Sequence, residues 1–156
     1  MSGQETVRPE QDGAGADVAP RLEDGYTCVI TRDGRTLYAS RESGIRPLLE
    51  ILRQGIDVSG GDAADRIVGK AAALLYARMG VARVRAVVMS RSGLSVLESR
   101  GIPAQYQTLT DAIVNRRGDG PCPMEQAVAD LDDPDRAYAA LEARVRELAG
   151  GMNKGK

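Results

Sequence analysis

The stretch Val84-Arg-Ala-Val-Val-Met89 decides the fold class, because it is short, largely apolar and rich in valine. A run of this kind is typical of a strand that is buried inside a sheet. Helical patterns lie on both sides of it. An apolar stripe predicts a helix over 63–79 that ends at Gly80, and a shorter helix follows over 93–100. A buried strand between helices predicts an α/β domain.

A β-hairpin is predicted before these elements. Strands over 26–31 and 35–39 flank Asp33-Gly34, a pair that tolerates positive φ and suits a type I′ turn. A short helix over 46–54 follows, and Gly55 is expected to cap its C-terminus. The hairpin therefore adds two antiparallel strands to the sheet.

The rest of the chain continues the alternation of strands and helices. The further predicted elements are a strand over 104–108, a helical turn over 111–114, a helix over 123–131 and a last helix that Asp133 caps and that ends before Gly150. The order ββααβαβαα predicts a mixed sheet of four or five strands with helices packed against it. Residues 1–21 are predicted to be a disordered leader, 22–149 a single domain and 150–156 a flexible tail.

Composition excludes several classes of function. The chain of 156 residues has no histidine and two cysteines, so histidine-based triads and nearly all zinc sites are excluded, and we predict no cofactor and no metal. A net charge of −1 provides no general positive field for nucleic acid or anionic membranes. No run approaches the roughly 20 apolar residues of a membrane span. Two unpatterned cysteines fit a reducing compartment, and we predict a cytoplasmic protein.

A glycine-rich stretch over 115–125 is the first candidate site. Gly118 and Gly120 allow backbone conformations that turn successive N–H groups inward, which forms an anion-binding concavity. Asn115 and Arg116 stand beside these glycines, and the helix that follows presents its positive N-terminal end. The stretch therefore predicts contacts to a small anionic ligand.

Cys122 lies at the expected N-cap of that helix. A thiol in this position is expected to have a lowered pKa, as reactive cysteines do. The same residues also fit an ordinary helix start, in which Pro123 occupies the first position, Glu125 helps to cap the helix and Cys122 is only small enough to fit. Both interpretations stay open. Cys28 lies in the middle of a strand and is interpreted as a buried, small hydrophobic residue.

The segment that leads into the 63–79 helix is the second candidate. Asp62 fits an N-cap and Asp65 fits the first helical turn, where negative charge favours the helix dipole. Gly69 has no such explanation, because a glycine inside a helix costs about 1 kcal/mol relative to alanine. We therefore expect another backbone or a ligand to approach Gly69 closely. The neighbouring Lys70 fits either a charge in a pocket or a solvated side chain.

Two further polar segments are candidates because of their positions. Ser40 and Arg41 leave the hairpin and enter the first helix, and taken alone they form an ordinary polar loop. Ser90 follows the buried strand directly. The carboxyl end of such a strand is where open α/β sheets hold their ligands.

Three motifs in this order resemble a known family. They are Ser40-Arg41-x-x-Gly44-x-x-Pro47-Leu-Leu49, then Asp65-x-x-x-Gly69-Lys70-Ala-Ala-Ala73, then Asn115-Arg116-x-Gly118-x-Gly120-x-Cys122-Pro-Met-Glu125. Together they resemble domain of unknown function eighteen-ninety-three, a small prokaryotic family in the cytidine-deaminase-like superfamily. The resemblance covers about 25–131.

The resemblance implies a three-layer α/β/α cytidine-deaminase-like fold. In true deaminases three His or Cys ligands hold zinc and a glutamate transfers protons. The implied His-x-Glu position reads Val68-Gly69-Lys70 here, and the implied Pro-Cys-x-x-Cys position reads Ser90-Arg-Ser-Gly-Leu94, so neither has a zinc ligand. The stretch Pro121-Cys-Pro-Met-Glu125 follows the fourth predicted strand instead of the third. Zinc-dependent deamination is therefore not expected.

Two functions are compatible with this resemblance. In the first, an enzyme uses the former deaminase cleft, with Cys122, Lys70 and Asp65 as catalytic groups and thiol-based transfer as the reaction to test. In the second, the protein is a ligand-binding or regulatory module without turnover. In both, a small anionic or nucleotide-like ligand would be held by Ser40, Arg41, Gly69, Ser90, Asn115, Arg116, Gly118 and Gly120. The resemblance also suggests a homo-oligomer, whereas a nucleic-acid or membrane partner is not expected.

Overall fold

The protein is described here by a computed structural model that covers residues 21–115 and 117–154, with side chains up to residue 150. The predicted leader lies outside these residues except for Arg21, and so do Arg116 and the last two residues of the predicted tail. None of the described helices is both long enough and apolar enough to cross a membrane.

Five strands and five α-helices follow a short 3-10 turn at Leu22–Asp24. The strands are β1 (Cys28–Arg32), β2 (Arg35–Ser40), β3 (Asp62–Val68), β4 (Arg83–Ser90) and β5 (Ala104–Thr110). The helices are α1 (Arg46–Gln54), α2 (Lys70–Met79), α3 (Arg91–Ser99), α4 (Pro123–Ala127) and α5 (Pro134–Lys154).

The strands form one mixed sheet in the order β2-β1-β3-β4-β5. β1 pairs antiparallel with both β2 and β3, whereas β3, β4 and β5 are parallel neighbours. Helices connect the parallel strands, as parallel pairing requires. The predicted α/β class with a mixed sheet is confirmed, and the arrangement is consistent with three layers.

The N-terminal hairpin and the first helix agree closely with the sequence patterns. Asp33 and Gly34 have φ values of 55° and 82°, which a type I′ turn requires. Helix α1 has the predicted bounds, and Gly55 caps it in the left-handed conformation. These elements were predictable because their signals are local turn and cap residues.

The helix predicted over 63–79 is wrong in its first half. Asp62–Val68 is the central strand β3, and the helix begins only at Lys70. Asp62 and Asp65 are therefore strand residues, and Gly69 is the N-cap of α2 instead of an interior helical residue. The small and polar residues of β3 have low strand propensity, but pairing on both sides, with β1 and β4, overrides that preference.

This extra strand changes the comparison with deaminase motifs. The stretch that follows the third strand is Gly69-Lys-Ala-Ala-Ala73, and the stretch containing Cys122 follows the fifth strand instead of the fourth. Neither Ser90 nor its neighbours follow the third strand. The glycine–lysine stretch likewise has no zinc ligand, and the deaminase-like assignment stays a prediction.

Three smaller differences lie in the C-terminal half. Residues 111–114 form no helical turn, and Val114 instead makes an isolated bridge with Pro121. Helix α4 is shorter than predicted and ends at Ala127, whereas α5 continues past Gly150 to Lys154. Asp133 caps α5 as predicted, because its Oδ2 accepts a hydrogen bond from the backbone N–H of Arg136 at 3.1 Å.

Helix α2 is the centre of the hydrophobic core. Every residue from Ala71 to Tyr76 is buried, so the helix is covered all round. The sheet lies on one side, and Ala137 and Leu141 of α5, both fully buried, belong to the same core. Alanines let α2 lie close to its neighbours in a chain that has no Phe or Trp. Cys28 is 1 % exposed, which confirms its predicted burial.

Candidate functional site

The carboxyl ends of four strands lie at one edge of the sheet. β2, β3, β4 and β5 run in the same direction, because β1 is antiparallel to β2 and β3 and the other pairs are parallel. Ser40, Val68, Ser90 and Thr110 end these strands. The three sequence-distant motifs therefore reach this edge, called the carboxyl edge below. It is the side on which open α/β sheets hold ligands.

Glu125 of α4 closes the N-terminus of α2. Its Oε1 accepts a hydrogen bond from the backbone N–H of Lys70 at 2.9 Å, and its Oε2 accepts one from Ala71 at 2.8 Å. The carboxylate thus pairs two otherwise unsatisfied helix N–H groups at the positive end of the dipole. A Cβ atom on Gly69 would lie 2.6 Å from Glu125 Oε1. The close neighbour expected at Gly69 is therefore this side chain.

Ser90 and Gly93 hold the starts of α2 and α3 together. Ser90 Oγ accepts a hydrogen bond from the backbone N–H of Gly93 at 3.0 Å and lies 3.2 Å from Ser92 Oγ. A Cβ atom on Gly93 would lie 2.9 Å from the carbonyl carbon of Gly69. Glycine is needed at position 93 because its backbone lies so close to that of Gly69, whereas the neighbour of Gly69 itself is the Glu125 side chain. Ser90 caps a helix here, and its contact with a ligand stays a prediction.

The glycine-rich loop folds around its own first side chain. Asn115 Oδ1 accepts hydrogen bonds from the backbone N–H groups of Gly118 and Asp119, at 2.8 and 3.2 Å. Its Nδ2 donates to the Asp119 carboxylate at 3.0 Å. The backbone N–H of Asn115 donates to the carbonyl of Gly120 at 2.8 Å. The inward-turned N–H groups thus already have an acceptor, and the predicted anion contacts of this loop remain a prediction.

The three residues predicted to be catalytic have separate surroundings. Lys70 Nζ donates to the carbonyl of Ala129 at 2.9 Å and lies 3.4 Å from the Asp132 carboxylate. Ala129 follows the C-terminus of α4, whereas Cys122 is the N-cap at the other end of that helix. No hydrogen bond or ion pair among the described residues joins any two of Lys70, Cys122 and Asp65. The structure does not assemble them into one catalytic group.

Asp65 belongs instead to a buried polar network that sequence reasoning missed. Tyr76 donates its hydroxyl hydrogen to Asp65 Oδ2 at 2.7 Å, and Cys28 Sγ lies 3.3 Å from the same hydroxyl oxygen. β1 and β3 place Cys28 and Asp65 opposite each other. Tyr76 reaches them from α2. No short-range signal in the sequence links these three residues.

Burial controls the protonation of this network. Loss of solvent raises the pKa of Asp65 to about 7, against the hydrogen bonds from Tyr76 and from the backbone of Ile67 and Arg66. Burial also raises the pKa of the Cys28 thiol far above its ordinary value, and the neighbouring Asp65 adds to that shift. The pKa of Tyr76 is raised for the same reasons. The thiol and the phenol are therefore neutral, and Cys28 is not a nucleophile.

A groove of about 780 Å³ opens beside β2. Every residue from Leu37 to Glu42 lines it, instead of every second one, so the groove follows the free edge of the strand. Helix α1 forms the opposite wall. The apolar part of the lining comes from Leu37, Ala39, Leu49, Ile56 and Val145. A volume of this size suits a small-molecule ligand.

Arg41 and Tyr26 belong to the lining of this groove. The Arg41 guanidinium carbon lies 3.9 Å from the centre of the Tyr26 ring, and its Nη2 lies 3.5 Å from the carbonyl oxygen of Asp24. Two other arginines in the lining have carboxylate partners: Arg46 lies 3.9 Å from Glu42 and Arg53 lies 2.8 Å from Glu142. No described carboxylate lies within 4.0 Å of Arg41.

Polar groups of the groove other than Arg41 are already bonded or neutral. Ser40 Oγ accepts a hydrogen bond from the backbone N–H of Glu42 at 3.0 Å. Burial raises the pKa of Tyr38 to about 12, although its hydrogen bond with Ser40 acts against this shift. Ser40 and Arg41 were predicted from sequence, but Tyr26 was not. Its signal was present, because a hairpin brings the residues just before its first strand close to those just after its second.

The donor side chains in the described part of the protein do not fit zinc. Structural and catalytic zinc sites need three or four His, Cys or carboxylate ligands. Within residues 21–115 and 117–154, no three such side chains are grouped so that they could hold a metal ion. The two cysteines lie apart, with Cys28 buried in β1 and Cys122 half-buried at the start of α4.

Comparison with known proteins agrees with the motifs at the carboxyl edge. The family model described as "TM1506: Domain of unknown function (DUF1893)" matches residues 21–145. The chain belongs to the DUF1893 family. A crystal structure of a DUF1893 family protein (TM1506) from Thermotoga maritima is similar, with a TM-score of 0.74 and 22 % sequence identity over 90 % of this chain and 93 % of that one. No curated protein matches. The DUF1893 match thus establishes family and fold.

Proposed function

We propose that this DUF1893 protein is a non-catalytic, cytoplasmic ligand-binding module, and that a small anionic, nucleotide-like molecule occupies the groove beside β2. Arg41 carries the proposal. It is an arginine held against an aromatic ring, without a carboxylate partner among the described residues, in the lining of a groove of ligand size. A guanidinium in this state can bind a phosphate or carboxylate through two parallel hydrogen bonds.

The lining of the groove supports a ligand with a planar, apolar part. Leu37, Leu49, Ile56 and Val145 offer apolar contact, and few polar groups compete with them. The Tyr26 ring and the Arg41 guanidinium form a flat surface against which a nucleobase can stack. The proposal thus restricts the predicted ligand contacts to Ser40 and Arg41.

The other predicted contacts have structural roles in this proposal. Gly69, Ser90, Asn115, Gly118 and Gly120 shape the carboxyl edge through close backbone packing and internal hydrogen bonds. The N–H groups of Asn115 and Gly118 and the side chains of Ser90 and Asn115 are hydrogen-bonded within the protein. The cytidine-deaminase-like ancestry implied by the motifs is retained in the proposal as the origin of the scaffold, without its metal chemistry.

The three residues predicted to be catalytic lie apart from one another, which supports ligand binding without catalysis. Cys122 has no hydrogen bond from its side chain to the helix it caps, and Lys70 is engaged at the other end of α4. Asp65 lies under α2, bonded to Tyr76. A thiol-based enzyme requires a base or cation next to the sulfur. The thiol-based reaction predicted from the sequence remains the alternative.

Isothermal titration calorimetry tests the proposal by comparing the affinities of the protein for AMP, adenosine and inorganic phosphate. We expect AMP to bind more tightly than either part alone, and R41A to weaken AMP binding by about tenfold or more, since charge-assisted contacts contribute about 1.5–3 kcal/mol. The matched control is R32A. Arg32 is the last residue of β1, at the end of the strand away from Tyr26, and its guanidinium also donates to a backbone carbonyl, that of Ser59. AMP binding that is equal in R41A and R32A would refute the proposal.

A further inference from the structure

The free edge of β5 is the feature that the ligand groove does not explain. β5 pairs with β4 on one side and ends the sheet on the other. Four consecutive residues, 105–108, are exposed, so neither face of the strand is covered there. Among the described residues, no backbone hydrogen bond joins this strand to any element other than β4 and its flanking turns. A row of backbone donors and acceptors is therefore available along this edge.

The composition of β5 is unusual for an edge strand. Its seven residues, Ala-Gln-Tyr-Gln-Thr-Leu-Thr, include no charge, no proline and no glycine. Monomeric proteins commonly protect free edges with charges, proline or bulges. The other edge strand, β2, has such features, because it begins with Arg35 and its pairing with β1 contains a bulge next to Ile30. Tyr106 of β5 is also 42 % exposed, and tyrosine is enriched at protein interfaces.

We propose that β5 pairs antiparallel with β5 of a second copy of this chain, across a two-fold axis at Gln107, so that the two sheets become continuous. A second copy is the partner because β5 is complementary to itself. Antiparallel pairing centred on Gln107 places Tyr106 opposite Thr108 and Ala104 opposite Thr110, and no like charges meet in this register. An isologous contact of this kind closes at two subunits. This inference is independent of the ligand groove, because β5 lies at the opposite edge of the sheet.

Introducing a charge at position 107, on the two-fold axis, provides the test. In Q107K two lysines would face each other across the axis, and in Q107E two glutamates would, so each variant should dissociate at concentrations about tenfold or more above those for the wild type. An equal mixture of Q107K and Q107E should form the dimer again, because opposite charges then meet. Exposed position 107 keeps both variants foldable. The readout is sedimentation velocity over a range of protein concentrations.

Matched controls are Q126K and Q126E, which make the same changes at an exposed glutamine of α4 and should leave the dimer unchanged. Amide hydrogen exchange should slow across residues 105–109 as the wild type associates. A wild-type protein that stays monomeric at millimolar concentration would overturn the proposal. A dimer that persists in both Q107K and Q107E would do so as well, because it would then form through another surface.

Discussion

Replacing Asp65 with asparagine should stabilise the protein above pH 7 and have much less effect near pH 4. Folded Asp65 keeps its proton up to about pH 7, because burial raises its pKa, whereas the unfolded chain releases the proton near the ordinary value of 3.8. Between these pH values the unfolded state binds fewer protons than the folded state. The free energy of unfolding of the wild type therefore falls as pH rises through this window.

The size of this effect follows from the shift. A rise of roughly three pKa units corresponds to about 4 kcal/mol, at about 1.4 kcal/mol for each unit. D65N has no proton to lose, so its stability should lack this decline. Asparagine can keep the network intact. Its Oδ1 can accept from the backbone N–H of Ile67 and its Nδ2 can donate to Tyr76, whose hydroxyl then donates to Cys28 Sγ.

Urea unfolding followed by circular dichroism measures the effect at several pH values between 4 and 8. The quantity to compare is the stability of D65N minus that of the wild type, which should increase by about 4 kcal/mol from pH 4 to pH 8. A constant offset from altered packing cancels in this comparison. D62N is the matched control, because it makes the same change on β3 at a half-exposed residue that pairs with Arg83 at 2.9 Å. Parallel curves for D65N and the wild type would refute the reasoning.

Three further outcomes are expected from the carboxyl edge and the cysteines. E125Q should lower the free energy of unfolding by about 1 kcal/mol, because it removes the charge at the α2 dipole, and E125A by about 2 kcal/mol, measured by urea unfolding. G69A should destabilise the wild type by more than it destabilises E125A, since the new Cβ meets the Glu125 carboxylate; equal costs in a double-mutant cycle would contradict that contact. Iodoacetamide should label half-buried Cys122 in the native state and buried Cys28 only on unfolding, and equal protection of both in peptide mass spectra would contradict this.

Local signals predicted much of the fold. The Asp33-Gly34 turn, the Gly55 cap of α1 and the Asp133 cap of α5 all depend on residues that are next to the element they define. β4 was also clear, because its sequence is largely apolar and rich in valine. Such features require no knowledge of the tertiary structure.

β3 could not be predicted in this way. Its alanines and aspartates continue the helical pattern of the following residues, and its strand conformation depends on partners in β1 and β4. The glycine at position 69 was the one local sign of a break. The site shows the same limit. Glu125 reaches Lys70 across 55 positions in the sequence, and Tyr76 reaches Asp65 from the next element, so both contacts exist only after the chain has folded.

The covering of α2 by α5 also has a consequence for synthesis of the protein. The central helix is enclosed only when Ala137 and Leu141 of α5, the last described helix, have docked on it. A nascent polypeptide that has emerged only as far as β5 would expose the outer side of this helix to solvent. We therefore expect the domain to complete its folding only after α5 has been synthesised, and chaperones to meet it before then.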